Sequence, residues 1–435
     1  MGIINYLASN IFKQPPILLG VIALVGLLLQ RKSFNDVIKG TFKTIIGVIV
    51  LFKGVNIIAG AISPLATAFS TLYKVPQANQ FNPNAWVDFI GKFGSEIGLV
   101  IVIAFIINLL VARITPMKNI FLTGHIFFWM AYLMVAVGVE SGLTGVGLIA
   151  FASIFLAIYI IVVPALMRPL VRKVTGSDDF TIGHTTSIFC FIGAGIGKLI
   201  GNKGKSTEDI KVPEYLGFIR DTTISTSLML FIIYIVVGLI IGAEGRAAAY
   251  GTAIGSIGTI GGMQYDLFTF SLMAGLTFGA GLVVLLAGVR LMLGEIVPAF
   301  KGIAEKLIPN AIPALDVPMV FPYAQNALTI GFLVSMVTSI LTIVVMAATG
   351  TMAYAVIPLT VACFFDVAPG AIFANAYGGR TAAIIASALS GVIMILLVTV
   401  AMPVLFNTVA GFNQAFGGND FSLWPLITSF FGKIF

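Results

Sequence analysis

The sequence predicts an all-α polytopic membrane protein, and three observations carry that prediction. Of its 435 residues, 59% are hydrophobic and only 9% charged, against roughly 25% charged in an ordinary soluble domain. With a mean hydropathy of +1.07, such a chain cannot cover a water-facing surface, which excludes a soluble enzyme, a nucleic-acid binder and a disordered protein. Second, the apolar runs are long and do not alternate: Gly98–Ala112, Gly145–Leu166, Ser225–Ile241, Gly275–Val289 and Ala382–Leu405. Strands of a membrane barrel alternate over roughly ten residues, so the spans are helices. Third, three apolar segments are broken by Pro, Gly and ionisable residues, which points to re-entrant or interrupted helices rather than plain spans.

At roughly twenty residues per span, the chain holds about ten or eleven transmembrane helices within one domain, 1–435. Their centres fall near Val25, Val48, Val102, Met130, Phe155, Ile235, Val283, Met336, Pro358 and Met394. The first run follows Lys13 and Pro15–Pro16 and ends at Gln30 before Arg31 and Lys32, with no small-residue cleavage site. It reads as a retained span, not a signal peptide. Arg168, Arg172, Lys173, Lys198, Lys203, Lys205, Lys211 and Arg220 crowd one stretch, which therefore faces the cytoplasm. Asn202–Glu214 is its most water-soluble part, and a docking surface for a soluble partner is an added expectation there. Lys301, Glu305 and Lys306 give a second charged patch in the amphipathic segment Val297–Leu307. The charge-poor loop Lys74–Asp88 is expected outside. Cys190 and Cys363 lie far apart in apolar segments, too few for a disulfide framework or a zinc site.

The broken segments are Phe180–Ile200, with His184 among glycines and hydroxyl residues; Ala311–Gln325, with Pro313, Pro318 and Pro322 around Asp316; and Pro358–Gly379, with Asp366 and Pro369. Backbone freed at membrane depth needs partners in protein or in a water-filled cavity, and transporters place such segments at the substrate site. Ionisable residues in apolar spans cost roughly 2.5–3.5 kcal/mol on the lenient scales, and so are functional candidates. The chain's two histidines both qualify: His125 in Leu122-Thr-Gly-His-Ile126, and His184 in Ile182-Gly-His-Thr-Thr-Ser187. Asp316 either accepts hydroxyl donors from a polyhydroxylated solute or caps a half-helix. Asp366 is a fourth candidate. Gln325 and Asn326 contact a ligand or cap the next helix, and Glu295 is interfacial. No P-loop, metal cluster, nucleophile elbow or Rossmann fingerprint occurs, so no catalytic residue, metal or cofactor is expected. Energy for transport must come from an ion gradient or a separate protein.

Leu122-Thr-Gly-His-Ile126, Ile182-Gly-His184, Ala299-Phe-Lys-Gly-Ile303 through Lys306-Leu-Ile-Pro-Asn310 to Ala314-Leu-Asp316, Ala374-Asn375 before Gly378-Gly379, and Arg31-Lys-Ser33 with Ile38 to Gly47 occur in one order over about 15–410. In these the chain resembles the ascorbate-specific enzyme IIC family, permeases of the bacterial phosphotransferase system. The resemblance implies a homodimer in the bacterial inner membrane, an inverted repeat (halves about 15–200 and 215–410), and a core plus a dimerisation domain. It further implies L-ascorbate or a related sugar as substrate, an elevator-like or rocking movement, and phosphorylation by soluble IIB and IIA partners. His125, His184 and Asp316 match the family's substrate-contacting positions. Two positions depart: Trp129 and Thr185 stand where ascorbate transporters have Gln. Trp129 can stack on a ring, and Thr185 offers a single hydroxyl, which leaves a pentose, pentitol or sugar acid open as substrate. The alternative function is an ion-coupled secondary transporter with Asp316 or Asp366 as ion carrier. An intramembrane enzyme finds no motif spacing to support it.

Overall fold

The computed structural model describes residues 14–74, 83–201, 204–211, 213–251, 257–260, 263–432 and 434. The described residues are mostly helical, with five very short strands among them. Helix α1 (Pro15–Leu29) starts on a proline pair and is followed by α2 (Phe34–Tyr73), whose first turn is capped when Ser33 accepts the Asp36 amide at 3.2 Å. Next come α3 (Pro83–Ile114), strand β1 (Asn119–Phe121), α4 (Gly124–Glu140), α5 (Gly145–Thr175), β2 (Thr181–Ile182) and α6 (Ser187–Ile200). Short 3-10 turns at Thr207–Asp209 and Glu214–Arg220 lead to α7 (Thr222–Ile240) and α8 (Gly242–Tyr250). A hairpin of β3 (Ile257–Ile260) and β4 (Met263–Asp266) precedes α9 (Leu267–Leu307), β5 (Ile312–Leu315), α10 (Gln325–Ala348), α11 (Ala368–Ala401), α12 (Ala410–Phe416) and α13 (Asp420–Gly432).

Among the described residues, seven helices are long and apolar enough to cross a membrane, and α4 and α6 are shorter apolar helices. The span expected around Pro358 begins instead as irregular chain; helix starts at Thr360 and passes through a π turn, Cys363–Val367, into α11. Helix α11 is itself broken. Gly379 has φ 73° and ψ −166°, a conformation open to glycine because it has no Cβ. On α10, Gly331 lies against Ala368, while Ser335, one turn later, lies against Gly391. A straight helix would hold 368 and 391 about 35 Å apart at 1.5 Å per residue, so the arms 368–378 and 380–401 fold back on each other at Gly379. The proline- and glycine-rich segment is a re-entrant hairpin.

Two groups of helices result. In one, α2 and α9 run antiparallel in backbone contact, with α1, α7 and α8 packed on them. Glycines spaced seven apart on both helices permit this: Gly54 faces Leu285, and Gly47 and Gly288 face each other's helix so closely that a Cβ on either would clash with backbone. Glu295 joins the pair through an ion pair with Lys43 at 2.8 Å, in keeping with a structural place for it. In the other group, α5, α6, α10 and α13 pack on α11, whose arms form the re-entrant hairpin; α4 joins through α5 and α13, and α3 leans on α4 and α5. Most of the loop Lys74–Asp88, together with Lys203, lies outside the described residues, as do the side chains of 296–307.

Candidate functional site

Three strands place the three polar groups singled out in the sequence. β1, β5 and β2 form a small parallel sheet in that order, with Phe121 beside Ala314 and Ile182 beside Leu315. Backbone bonds extend it, Leu122 N donating to Ala314 O at 3.0 Å and Gly183 N to Leu315 O at 2.9 Å. Central Pro313 has no N–H to give, but β2 starts only opposite Ala314, so no ladder bond is lost there. Asn108 of α3 holds β1, donating to Asn119 O at 2.9 Å and accepting from Phe121 N at 3.1 Å. Each strand then ends at a chemistry-bearing residue: His125 in the first turn of α4, His184 just before α6, and Asp316 capping a 3-10 turn. Parallel pairing delivers all three to the same end of the sheet.

There His125 Nε2 lies 3.8 Å from Asp316 Oδ2, and His184 Nε2 lies 3.7 Å from Asp316 Oδ1. Neither is a hydrogen bond, so neither imidazole spends its hydrogen-bonding capacity on Asp316. Asp316 Oδ1 also accepts the Val317 amide at 2.8 Å, so the carboxylate has the capping role expected of it and still lines the cavity. The side chains line a cavity of about 730 Å³, mouth included, whose opposite wall is formed by Leu51 and Val55 of α2 and Leu285, Leu286 and Val289 of α9. The site therefore sits on the boundary between the two helix groups.

Behind His184 lies a second polar layer. Asp366, on the π turn, is 3.5 Å from His184 Nδ1. It accepts from Thr185 Oγ1 at 2.5 Å and from Asn419 Nδ2 at 2.8 Å. Asp420 accepts from Ser187 Oγ at 2.6 Å, from the Ile188 amide at 3.3 Å and from the Tyr159 hydroxyl at 3.3 Å, so it caps α6 from a distant part of the chain. Helix α13, Asp420–Gly432, is thereby part of the helix group that carries the site.

Of the residues picked from the sequence, His125, His184, Thr185, Asp316, Trp129 and Asp366 line the one cavity. Thr185 does so with its hydroxyl hydrogen directed to Asp366. Trp129 is only 7% exposed; its ring lies 4.8 Å from Phe412, tilted by 31°, with edge contacts to Phe52, Phe128 and Tyr132. Gln325 is not among the lining residues. It is exposed at the start of α10, where the adjacent Asn326 and Ala327 amides donate to Glu208 at 3.1 and 3.0 Å. The loop expected to dock a partner is thus held at Glu208, and at Thr207, whose amide Asn375 accepts at 2.9 Å. Asn419, Asp420 and Phe412 were not marked by the sequence reading. The one signal was the Asn-Asp pair standing before an apolar run, a helix-start signature. The donor atoms of His125, His184 and Asp316 all lie within 4.8 Å of one another, a grouping that a small divalent cation would also accept.

The family model for the phosphotransferase-system sugar-specific permease component, EIIC-GAT, matches residues 10–420. The ascorbate-specific phosphotransferase-system EIIC component of Mycoplasma pneumoniae is 26% identical over an alignment of 445 residues, which covers 92% of this chain. The chain spans 66% of that relative's length.

Proposed function

This chain belongs to the sugar-specific permease components of the phosphotransferase system, and from that premise we propose that it binds L-ascorbate or a related sugar, polyol or sugar acid in the cavity of His125, His184 and Asp316. The solute then passes to the cytoplasm for phosphorylation by soluble IIB and IIA partners. The observation that carries this reading is the delivery of two histidines and a carboxylate, by three parallel strands, into one buried cavity between two helix groups.

The chemistry follows from the donor and acceptor inventory. Asp316 is acceptor-rich, and each neutral imidazole offers one acceptor and one donor. Vicinal hydroxyls, each both donor and acceptor, satisfy such a set, whereas an apolar solute leaves it orphaned at a cost of roughly 1–3 kcal/mol per group. Aromatic walls from Trp129 and Phe412 cover the apolar faces of a ring.

Movement follows from the boundary position. Sliding the group that holds the sheet and re-entrant hairpin past the α2–α9 pair would carry the cavity from one side of the membrane to the other, the pair serving as the fixed part in a homodimer of the bacterial inner membrane. The inverted-repeat halves, about 15–200 and 215–410, belong to the same proposal.

The deciding experiment is a binding screen on purified protein by tryptophan quenching or thermal shift, against L-ascorbate, pentoses, pentitols and sugar acids. One class should bind, and Asp316→Asn should abolish that binding while the protein still inserts and purifies. Undiminished binding in Asp316→Asn overturns the site. Uptake into vesicles lacking soluble partners, abolished by an uncoupler, would replace phosphorylation-linked transport with ion coupling.

A further inference from the structure

His184 lies between two carboxylates, and the two sides of its ring are not equivalent. Its Nδ1 side is closed. Asp366 Oδ1 stands 3.5 Å away and Thr185 Oγ1 3.4 Å. The single hydroxyl hydrogen of Thr185 goes to Asp366, so what faces Nδ1 is a pair of acceptors. Both Asn419 amide hydrogens are also spent, one on Asp366 and the other on Phe416 O at 3.1 Å, while its carbonyl accepts from the Phe421 amide at 2.9 Å. Among the described residues, no donor remains there for a bare Nδ1. The Nε2 side is open: it borders the cavity, with Asp316 Oδ1 at 3.7 Å and the His125 ring centroid 6.3 Å from that of His184.

A neutral imidazole carries one proton, and the hydrogen-bonding partners of the two nitrogens decide which. A bare Nδ1 would face acceptors only, in a pocket where His184 is 5% exposed and Asp366 4%. A bare Nε2 can be satisfied by any hydroxyl entering the cavity. We infer that Asp366 is a positioning residue that holds His184 as the Nδ1–H tautomer, so that Nε2 presents its lone pair to a solute hydroxyl beside Asp316. The role in solute binding rests on the function proposed above; the tautomer does not.

Asp366 is well placed to do this because its own position is set from three sides. It sits in the π turn that leads into the re-entrant hairpin. Its backbone carbonyl accepts from Thr186 Oγ1 at 2.5 Å, and Asn419 reaches its carboxylate from the segment preceding α13. The π turn, a feature frequent at functional sites, thus carries the carboxylate that faces the His184 ring.

The chain contains only two histidines, so the full-length protein labelled with 15N-histidine shows two imidazoles by NMR, and His125→Gln assigns them. Without any solute, His184 is expected protonated at Nδ1 and bare at Nε2. In Asp366→Asn the preference should be lost, the unfolding temperature should stay within a few degrees, and affinity for the solute found in the binding screen should fall on the order of tenfold or more. Thr185→Val should keep the wild-type tautomer, since Asp366 remains. A wild-type His184 protonated at Nε2 or at both nitrogens overturns the inference whether or not any variant folds. So does an unchanged tautomer in Asp366→Asn, or a lost one in Thr185→Val. The expected tautomers with no solute bound by any variant or wild type would leave Asp366 as positioned and remove the proposed function instead.

Discussion

Ser187 and Asp420 are 233 residues apart in sequence, yet the Ser187 hydroxyl donates to the Asp420 carboxylate at 2.6 Å. That contact, with the Ile188 amide bond to the same side chain, anchors the C-terminal helix to the start of α6, immediately after His184.

Asp420→Ala should therefore both destabilise and disarm the protein. Asp420 and Ser187 are buried, and removing the acceptor orphans the Ser187 hydroxyl and the Ile188 amide at roughly 1–3 kcal/mol each. The thermal unfolding midpoint in detergent should drop by several degrees, and solute binding should weaken with it. An unchanged midpoint would show that the C-terminal helix does not brace the site.

Trp129 answers to packing as well as to any solute. Its faces and edges meet Phe412, Phe52, Phe128 and Tyr132, so Trp129→Ala should cost on the order of 3–5 kcal/mol of stability. Trp129→Phe keeps an aromatic face toward the cavity and should retain most binding. If Phe and Ala variants lose binding equally while remaining folded, the indole N–H is the group that matters, not the ring face.

At the loop after α6, Glu208 takes the place of an N-cap for α10. Glu208→Ala removes the acceptor for the Asn326 and Ala327 amides and should cost about 0.5–2 kcal/mol, the range of a lost helix cap. Lys205 contributes its backbone carbonyl to Arg380 N at 2.7 Å, so Lys205→Glu should leave the midpoint unchanged. Reduced phosphorylation-linked uptake in Lys205→Glu, with binding intact, would mark the charge as a partner contact; an equal loss of stability in both variants would contradict the capping assignment.

The glycine seam between α2 and α9 is sensitive to a single methyl group. A Cβ on Gly288 would lie 2.3 Å from the Leu51 amide nitrogen, so Gly288→Ala must part the two backbones, at roughly 1–3 kcal/mol. Because Leu51 and Leu285 wall the cavity, binding should weaken in the same variant. Full stability and binding would mean that the pair is not in backbone contact.

Much of this molecule was legible in the chain because lipid imposes a severe rule: a polar group in an apolar segment must have a reason. That rule picked out His125, His184, Asp316 and Asp366, and the cavity gathers all four. It also marked Pro358–Gly379 as broken, which the reversal at Gly379 bears out. It failed at Gln325, whose amide stands at a helix start where exposure and ligand contact look alike in sequence. It passed over Asn419 and Asp420, which precede an apolar run as any helix cap would.

Composition and hydropathy determined the solvent, the helical class and the residues too costly to be idle, since each depends only on local transfer free energies. The register of β1, β5 and β2 and the closure of Asp420 on Ser187 join residues more than a hundred positions apart, and the fold-back of α11 is set by the helices α6 and α10 that pack on its arms. Only the tertiary structure decides which nitrogen of His184 faces acceptors and which faces the cavity, because that depends on three segments packing together, not on any one of them.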